Sequence, residues 1–352
     1  MNNHMLLMVI IYHSATYDYS IIDNPNSTIV HVRYFLQMIL ATSVPLFFFA
    51  NGYLMLNRAF DLKKHIIKSI KIVILTFVWG LIGVVCIAQI EGIRLSSFEL
   101  LKDVWSWRPI GWINHLWYMG TLICIYVFFP LLKSVFDHHR KLFIYFTVIV
   151  TIFTFGNTLI NHTVTLLLNA FGKANMVYSL NWFNIFNPFR GIYGYAFTYF
   201  CLGGLAHQYK DKILSIGKRK RNLIAIISII VSCLILFVFS STVSNSFSIM
   251  WDVVWDGDDT IPTAVNVLAI FVLLLNYNKH FKIFKVISLN TLGIYFMHNI
   301  FINLFKPMAL NTPFFCTFTG CIVFSILILL LCLFVTLLLK NIPLLKNLVN
   351  KV

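Results

Sequence analysis

Long apolar runs dominate the pattern of hydrophobic and polar positions along this chain. Several reach or approach the roughly 20 residues that a helix needs to cross the hydrocarbon of a bilayer. Backbone groups in lipid must satisfy their own hydrogen bonds, so each run is predicted to be helical. Runs such as 322–339 do not alternate apolar and polar residues as a membrane β-barrel strand would. The pattern predicts an all-α, polytopic integral membrane helical bundle.

The predicted bundle has about ten transmembrane helices. The spans are placed at 1–14, 34–56, 72–90, 115–135, 142–160, 191–207, 223–242, 262–277, 291–308 and 314–339. Between them no segment has the length and polarity of a separate soluble domain. We therefore predict a single transmembrane domain over residues 1–352. No small-residue cleavage site follows the first run, so no cleavable signal peptide is expected.

Composition and charge add an orientation to this picture. The chain is 59% hydrophobic and 11% charged, whereas a soluble domain carries about 25% charged residues. With both termini in the cytoplasm, 20 of the 27 Lys and Arg residues fall in cytoplasmic segments. This is the bias of the positive-inside rule. It predicts a multi-pass membrane protein with both termini in the cytoplasm, and it explains the net charge of +15 without a nucleic-acid partner.

Acidic residues and cysteines exclude some functions. No carboxylate lies within a predicted span, which argues against proton- or sodium-coupled transport. The seven cysteines lie mostly in apolar runs and form no CxxC pair. We therefore expect no metal site and no disulfide framework.

Two histidines lie inside predicted spans, where ionisable residues are functional candidates by default. His13 ends the first span, and His298 lies within 291–308. Both spans run from the inner to the outer face, so the two imidazoles fall at similar depth and could converge. A neutral imidazole can take a proton from a hydroxyl near pH 7, as acyl transfer to an alcohol requires. The alternative is a pair of histidines that hydrogen-bond neighbouring helices.

Aromatic and polar residues alternate in the segment 105–120, "WSWRPIGWINHLWYMG". Trp107, Arg108, His115 and Trp117 could bind a sugar through stacked indole rings and polar groups. The alternative is an interfacial aromatic belt. The loop 251–259, "WDVVWDGDD", has a similar mixture; it could also hold a cation, but its carboxylate spacing does not match an EF-hand loop.

The basic segment 58–71 includes Arg58, Lys63 and Lys64. These cations could bind the phosphates of a cytoplasmic CoA thioester, or they could simply contact anionic lipid and set the topology. In the second span, Gly52 either packs closely against another helix or lines a channel.

Five strings of this chain resemble the membrane-bound acyltransferase family 3, the bacterial O-acyltransferases that modify cell-surface polysaccharides. They are the first helix ending in His13, "VPLFFFANGYLM", "HLWYMGTLICIYVFFPLL", "YFCLGGLAH" and "LGIYFMHNIF". They occur in the family order over nearly the whole chain. The resemblance implies that His13 is catalytic. The family arginine eleven residues earlier is replaced here by Asn2, so either the chain starts at an internal methionine or it lacks that arginine.

The resemblance implies acyl-CoA as donor and a glycan hydroxyl as acceptor. We expect an O-acetyltransferase of a capsule, O-antigen or exopolysaccharide that uses acetyl-CoA as a substrate and has no permanently bound cofactor. His13 and His298 would be catalytic. The donor would be bound by Arg58, Lys63 and Lys64. The acceptor would be bound by Trp107, Arg108, His115 and Trp117. A polysaccharide export branch of the family has the same histidine, so a non-catalytic export or synthesis partner, or a scaffold of the glycan-assembly machinery, stays open.

Overall fold

A computed structural model of the chain describes residues 2–106, 113–173, 193–275, 281–343 and 345–349. Within these ranges the protein is helical and has no strand. Six helical stretches are long and apolar enough to cross a membrane: Thr28–Met55, Leu62–Glu91, Asn114–His138, Arg140–Ala170, Lys218–Phe247 and Phe318–Asn341. His4–Ser14 and Ile261–Leu274 are shorter apolar helices. The all-helical membrane class is thus confirmed, while the count of about ten spans and the orientation of the termini stay predictions.

The chain divides into two compact units. The first unit comprises residues 1–18, 60–130 and 279–352, and the second comprises residues 19–59 and 131–278. Because each unit is assembled from separate segments, residues far apart in the sequence meet within it. The boundary at 130 falls on Pro130, which lies inside a helix.

The first unit contains the two ends of the chain and one middle segment. Its helices are α1 (Asn2–Ser14), α4 (Leu62–Glu91), α5 (Ser97–Ser106), the first part of α6 (Trp117–His138), α14 (Lys282–Leu310), α15 (Phe318–Asn341) and α16 (Lys346–Val349). The α1 helix packs against both α14 and α15, and α14 also packs against α4. Residues 5–11 of α1 are apolar on all sides of the helix, as is typical of a helix enclosed by others. The α1 helix has 13 residues and is therefore about 20 Å long.

The second unit contains the remaining helices. They are α2 (Thr28–Leu40), α3 (Ser43–Met55), α7 (Arg140–Thr151), α8 (Asn157–Ala170), α9 (Tyr195–Ala206), α10 (Lys210–Ser215), α11 (Lys218–Phe247), α12 (Val253–Asp256) and α13 (Ile261–Leu274). The predicted span 34–56 covers parts of two helices, because the chain turns at residues 41 and 42 between α2 and α3. A π-helical turn, Ile152–Gly156, joins α7 to α8.

The closest packing in the second unit is between α3 and α9. A β-carbon built on Gly52 would lie 1.8 Å from the backbone oxygen of Phe200, and one on Gly203 would lie 2.0 Å from that of Phe49. Glycine at both positions therefore lets the two backbones touch, as small residues do in membrane helix pairs. For Gly52, this contact agrees with the packing interpretation of the sequence.

Candidate functional site

Three histidine side chains converge in the first unit. His13 lies in the last turn of α1, His115 in a short 3-10 turn before α6, and His298 in the middle of α14. The ring centres of His13 and His298 are 5.4 Å apart, those of His115 and His298 are 5.0 Å apart, and those of His13 and His115 are 6.5 Å apart. A single reacting group could therefore contact more than one imidazole.

Hydrogen bonds to α15 and to the loop before it fix the end of α1 that carries His13. The Ser325 hydroxyl donates to the Ser14 hydroxyl at 3.1 Å, and the Thr16 hydroxyl donates to the Phe315 carbonyl at 2.6 Å. Between them the chain leaves the helix through Ala15, whose φ of 33° is left-handed. That conformation costs a residue with a β-carbon about 1 to 2 kcal/mol. The bonds on both sides of Ala15 hold this turn in place.

His298 is oriented by its own helix. Its side chain is fully buried, at 0% exposure, and its Nδ1 lies 2.5 Å from the carbonyl oxygen of Tyr295, one turn earlier. A carbonyl oxygen only accepts, so in the neutral ring Nδ1 carries the hydrogen and Nε2 has the free lone pair. In the described part of the chain Nε2 has no hydrogen-bond partner. His298 is therefore preset to accept a proton through Nε2.

His115 completes the cluster from another part of the chain. The Tyr295 hydroxyl donates to its backbone carbonyl, and the His115 side chain is buried. Its ring nitrogens make no hydrogen bond of good geometry with the described residues, although the backbone of Phe296 lies close. Buried polar atoms without partners destabilise a fold, and each such atom in a native structure calls for an explanation. A bound substrate would supply the missing partners.

His13 is the accessible member of the cluster. Its side chain is half-buried, whereas His115 and His298 are buried. Lys306, two turns beyond His298 on α14, lies close enough to interact electrostatically with His13. A substrate that enters the site would thus reach His13 first, with one cation in the neighbourhood.

The predicted donor-binding cations lie on exposed surface. Arg58 follows α3 in the second unit, and Lys63 and Lys64 lie in the first turn of α4 in the first unit. The ammonium of Lys64 is 3.4 Å from a carboxylate oxygen of Asp61, the N-cap of α4. An exposed ion pair of this kind contributes about 0 to 1 kcal/mol, so Lys64 can exchange this partner for a phosphate.

The predicted acceptor-binding residues are only partly described. Trp117 is half-buried in the first turn of α6, with its ring 6.4 Å from that of Tyr118. Trp107 and Arg108 lie outside the described residues. The structure places His115, the third predicted acceptor residue, beside His13 and His298.

The loop 251–259, which contains the Trp and Asp residues, belongs to the second unit. Asp252 caps α12 by accepting from the Val254 amide at 3.0 Å, and the Tyr199 hydroxyl donates to the backbone carbonyl of Asp258 at 2.9 Å. Burial raises the pKa of Asp258 well above its usual range and that of Asp259 to about 6. Burial, with the neighbouring Asp252 and Asp259 carboxylates, raises the pKa of Asp256 to about 6. The folded loop therefore favours the protonated forms of Asp256, Asp258 and Asp259.

Asp259→Asn is expected to stabilise the protein above pH 6 and to change little at about pH 4. The unfolded carboxyl titrates near pH 4, whereas the folded one has a pKa of about 6. The contribution of the protonated Asp259 carboxyl to the free energy of unfolding is thus fully present below about pH 4 and is lost as pH rises through about 6. Asparagine keeps a polar group for the Thr158 contact without the charge. We expect Asp259→Asn to raise the free energy of unfolding by about 1 to 3 kcal/mol at pH 8.

Thermal unfolding in detergent between about pH 4 and about pH 8 measures this effect. Asp23→Asn is the matched control, because it removes the same charge from an exposed side chain. An equal shift in both variants, or a gain for Asp259→Asn that is largest at low pH, would contradict the assignment.

Sequence reasoning missed three features of the histidine site. The sequence does not predict that His115 lies beside the other two histidines, and it does not single out Tyr295 or Lys306. Tyr295 could have been noticed, because it precedes His298 by three residues and so lies one helical turn away. Lys306 could also have been noticed, because a charge inside a predicted span is a functional candidate by default.

Neither the curated proteins nor the solved structures contain a significant match to this chain. The family model described as an acyltransferase domain matches residues 5–340, which is nearly the whole chain. The matched segment includes the three converging histidines and the six long apolar helices, except Asn341 at the end of the last helix. This protein therefore belongs to acyltransferase family 3 and is a membrane acyltransferase.

Proposed function

We propose that this protein is an O-acyltransferase that moves an acyl group, in the first instance acetyl, from cytoplasmic acyl-CoA to a hydroxyl of a cell-surface polysaccharide or its lipid-linked precursor. The bacterial inner membrane is the proposed location. The observation that carries the proposal is the histidine cluster. Half-buried His13 lies beside His298, whose Nε2 is free to accept a proton.

In the proposed reaction His13 takes the proton from the acceptor hydroxyl. The hydroxyl oxygen forms a bond to the thioester carbonyl carbon, and the carbon–sulfur bond breaks. The departing CoA thiolate takes the proton from the His13 imidazolium, which restores the neutral base. General base catalysis of this kind contributes about a 10²- to 10⁴-fold rate increase.

A second route uses the same atoms in two steps. His13 attacks the thioester carbonyl, the carbon–sulfur bond breaks, and the CoA thiolate takes up, by way of His298, the proton that the acylated imidazole loses. The acyl-imidazole then passes its acyl group to the hydroxyl oxygen, and the hydroxyl proton goes to the released nitrogen of His13. In this route His298 Nε2 is a suitable acceptor for the proton that His13 loses. Trapping the protein with acyl-CoA in the absence of acceptor, followed by mass spectrometry of the His13 peptide, separates the two routes.

The remaining residues are proposed to bind the two substrates. Arg58, Lys63 and Lys64 would contact the phosphates of CoA, because exposed cations pair well with phosphate. Trp117, with Trp107 and Arg108, would stack on and hydrogen-bond the acceptor sugar. His115 would contact the acceptor from within the histidine cluster, where both ring nitrogens are available.

Deletion of the gene in the native cell tests the function. We expect the surface polymer to lose its O-acetyl groups, measured by proton NMR of purified polysaccharide, and to regain them when the wild-type gene is returned. A fall in polymer amount with unchanged acetylation per sugar would instead indicate an export or synthesis partner. Unchanged amount and acetylation would exclude both roles for that polymer.

A further inference from the structure

Tyr295 of α14 is hydrogen-bonded to both of the buried histidines of the cluster. Its main-chain carbonyl accepts from His298 Nδ1 at 2.5 Å, and its hydroxyl donates to the main-chain carbonyl of His115. Tyr295 is itself buried, and hydrogen bonds in such surroundings are electrostatically stronger than in water. One residue therefore holds His298 through its backbone and His115 through its side chain.

The Tyr295 ring also packs against both imidazoles. Its centre is 5.6 Å from that of the His115 ring and 5.7 Å from that of the His298 ring. Tyr118 of α6 packs against it at 5.6 Å. Contacts of this kind depend on the aromatic ring, which a phenylalanine provides as well. The hydroxyl bond to His115 is thus a contribution that can be removed on its own.

The 3-10 turn that carries His115, Asn114–Leu116, also lies against α4. Ile113, immediately before the turn, is buried, and a β-carbon built on Gly83 of α4 would lie 3.0 Å from its side chain. This apolar contact does not involve Tyr295. Loss of the Tyr295 hydroxyl is therefore expected to let the turn shift relative to α14 without releasing it from the fold.

The place of the His115 ring depends on this bond, because its own nitrogens do little to fix it. Neither ring nitrogen makes a hydrogen bond of good geometry with the described residues. The main chain of the same residue is held at its carbonyl by the Tyr295 hydroxyl. Groups at a reaction centre must be held to within about 0.5 Å, and a displacement of about 1 Å can cost about 100-fold in rate. A bond that fixes His115 is therefore expected to affect the reaction.

We propose that Tyr295 is a positioning residue, whose hydroxyl holds His115 beside His298 so that the His115 imidazole can contact the acceptor. This inference rests on the proposed function, in which His115 contacts the acceptor. Because the Tyr295 hydroxyl is already bonded to the protein, its effect on the reaction passes through His115.

Tyr295→Phe removes the hydroxyl and keeps the ring, and steady-state kinetics of the purified full chain measure the effect. The substrates are acetyl-CoA and the native polysaccharide after chemical removal of its O-acetyl groups, and released CoA is measured with a thiol reagent. We expect the KM for the polysaccharide to rise about tenfold, as loss of one buried hydrogen bond allows. The KM for acetyl-CoA should stay within about twofold, because a general loss of folded protein or of positioning elsewhere is not expected.

The position of His115 can also be followed without any acyl transfer. Diethyl pyrocarbonate modifies accessible neutral imidazoles, and mass spectrometry of the peptides gives the rate at each histidine. In the wild type the buried His115 should react slowly and the exposed His139 fast. In Tyr295→Phe we expect His115 to react at least about fivefold faster, because the turn opens more often, with no change at His139.

Tyr199→Phe is the matched control for the lost bond. The Tyr199 hydroxyl donates to the main-chain carbonyl of Asp258 at 2.9 Å, so this variant loses the same kind of bond in the second unit. It should lower Tm about as much as Tyr295→Phe does, and it should leave the polysaccharide KM and the labelling of His115 unchanged.

His115→Ala supplies a second comparison. If Tyr295 acts through His115, adding Tyr295→Phe to His115→Ala should change the polysaccharide KM by less than about twofold, because the two residues then work as one unit. A role of Tyr295 in stability alone would lower the amount of active protein and leave both KM values as in the wild type.

An unchanged labelling rate of His115, or an unchanged polysaccharide KM in active Tyr295→Phe protein, would overturn the proposal. So would an equal effect of Tyr295→Phe in the wild type and in His115→Ala. Failure of the proposed function has a different signature, namely a wild-type protein that transfers no acetyl group. In that case faster labelling in Tyr295→Phe still supports the hold on His115, and an unchanged rate excludes it.

Discussion

Replacement of His13 by alanine is expected to lower polymer O-acetylation by at least about 100-fold, because general base catalysis contributes a 10²- to 10⁴-fold rate increase. The alanine side chain cannot accept the hydroxyl proton. His298 is fully buried and therefore less accessible to the acceptor hydroxyl than the half-buried His13. The measurement is the O-acetyl content of purified polysaccharide by proton NMR from cells that contain equal amounts of membrane protein.

His4→Ala is the matched control for this experiment. His4 lies on the same helix but is exposed, with its ring 5.7 Å from Phe284. We expect acetylation to remain within about twofold of wild type, as for most surface substitutions. Normal acetylation in His13→Ala, with the protein present in the membrane, would exclude His13 as the base or acyl carrier.

Gly203→Ala and Gly52→Ala are expected to prevent stable folding of the second unit. The new β-carbon would lie 2.0 Å from the Phe49 oxygen in the first variant and 1.8 Å from the Phe200 oxygen in the second. Backbone atoms cannot rotate out of the way as a side chain can, so α3 and α9 must move apart. Overpacking typically costs about 1 to 3 kcal/mol, and a backbone clash belongs at or above the upper end.

The measurement is the yield of monodisperse protein by fluorescence-detected size exclusion, followed by thermal unfolding of what remains. Gly217→Ala is the control, because a β-carbon there meets no atom within 4 Å. It should retain wild-type yield and Tm. Wild-type behaviour of Gly203→Ala would show that α3 and α9 do not pack through this glycine.

Much of the fold follows from the apolar runs. Each predicted span overlaps a helix of the described chain, because a long apolar run in lipid has no alternative to internal hydrogen bonding. The sequence analysis does not predict the turn at residues 41 and 42, although Thr42 and Ser43 interrupt the apolar run there. The Thr42 hydroxyl donates to the Ile39 carbonyl, which supports this turn.

The site was only partly predictable for a related reason. The depth of His13 and His298 could be counted along their helices, and the structure places their rings 5.4 Å apart. The position of His115 beside these two histidines could not be found in this way. It depends on which helix packs against which, and periodicity within one helix carries no information about partners far away in sequence.

The two hydrogen bonds that hold the end of α1 join residues 299 and 311 positions apart in the chain. The ribosome adds about 5 to 20 residues per second. Ser14 and Thr16 are therefore synthesised about 15 to 60 seconds before Phe315 and Ser325, to which they are hydrogen-bonded. During that time α1, which has 13 residues, has no fixed neighbour of its own. We expect the nascent protein to stay without acyltransferase activity until the last helices insert.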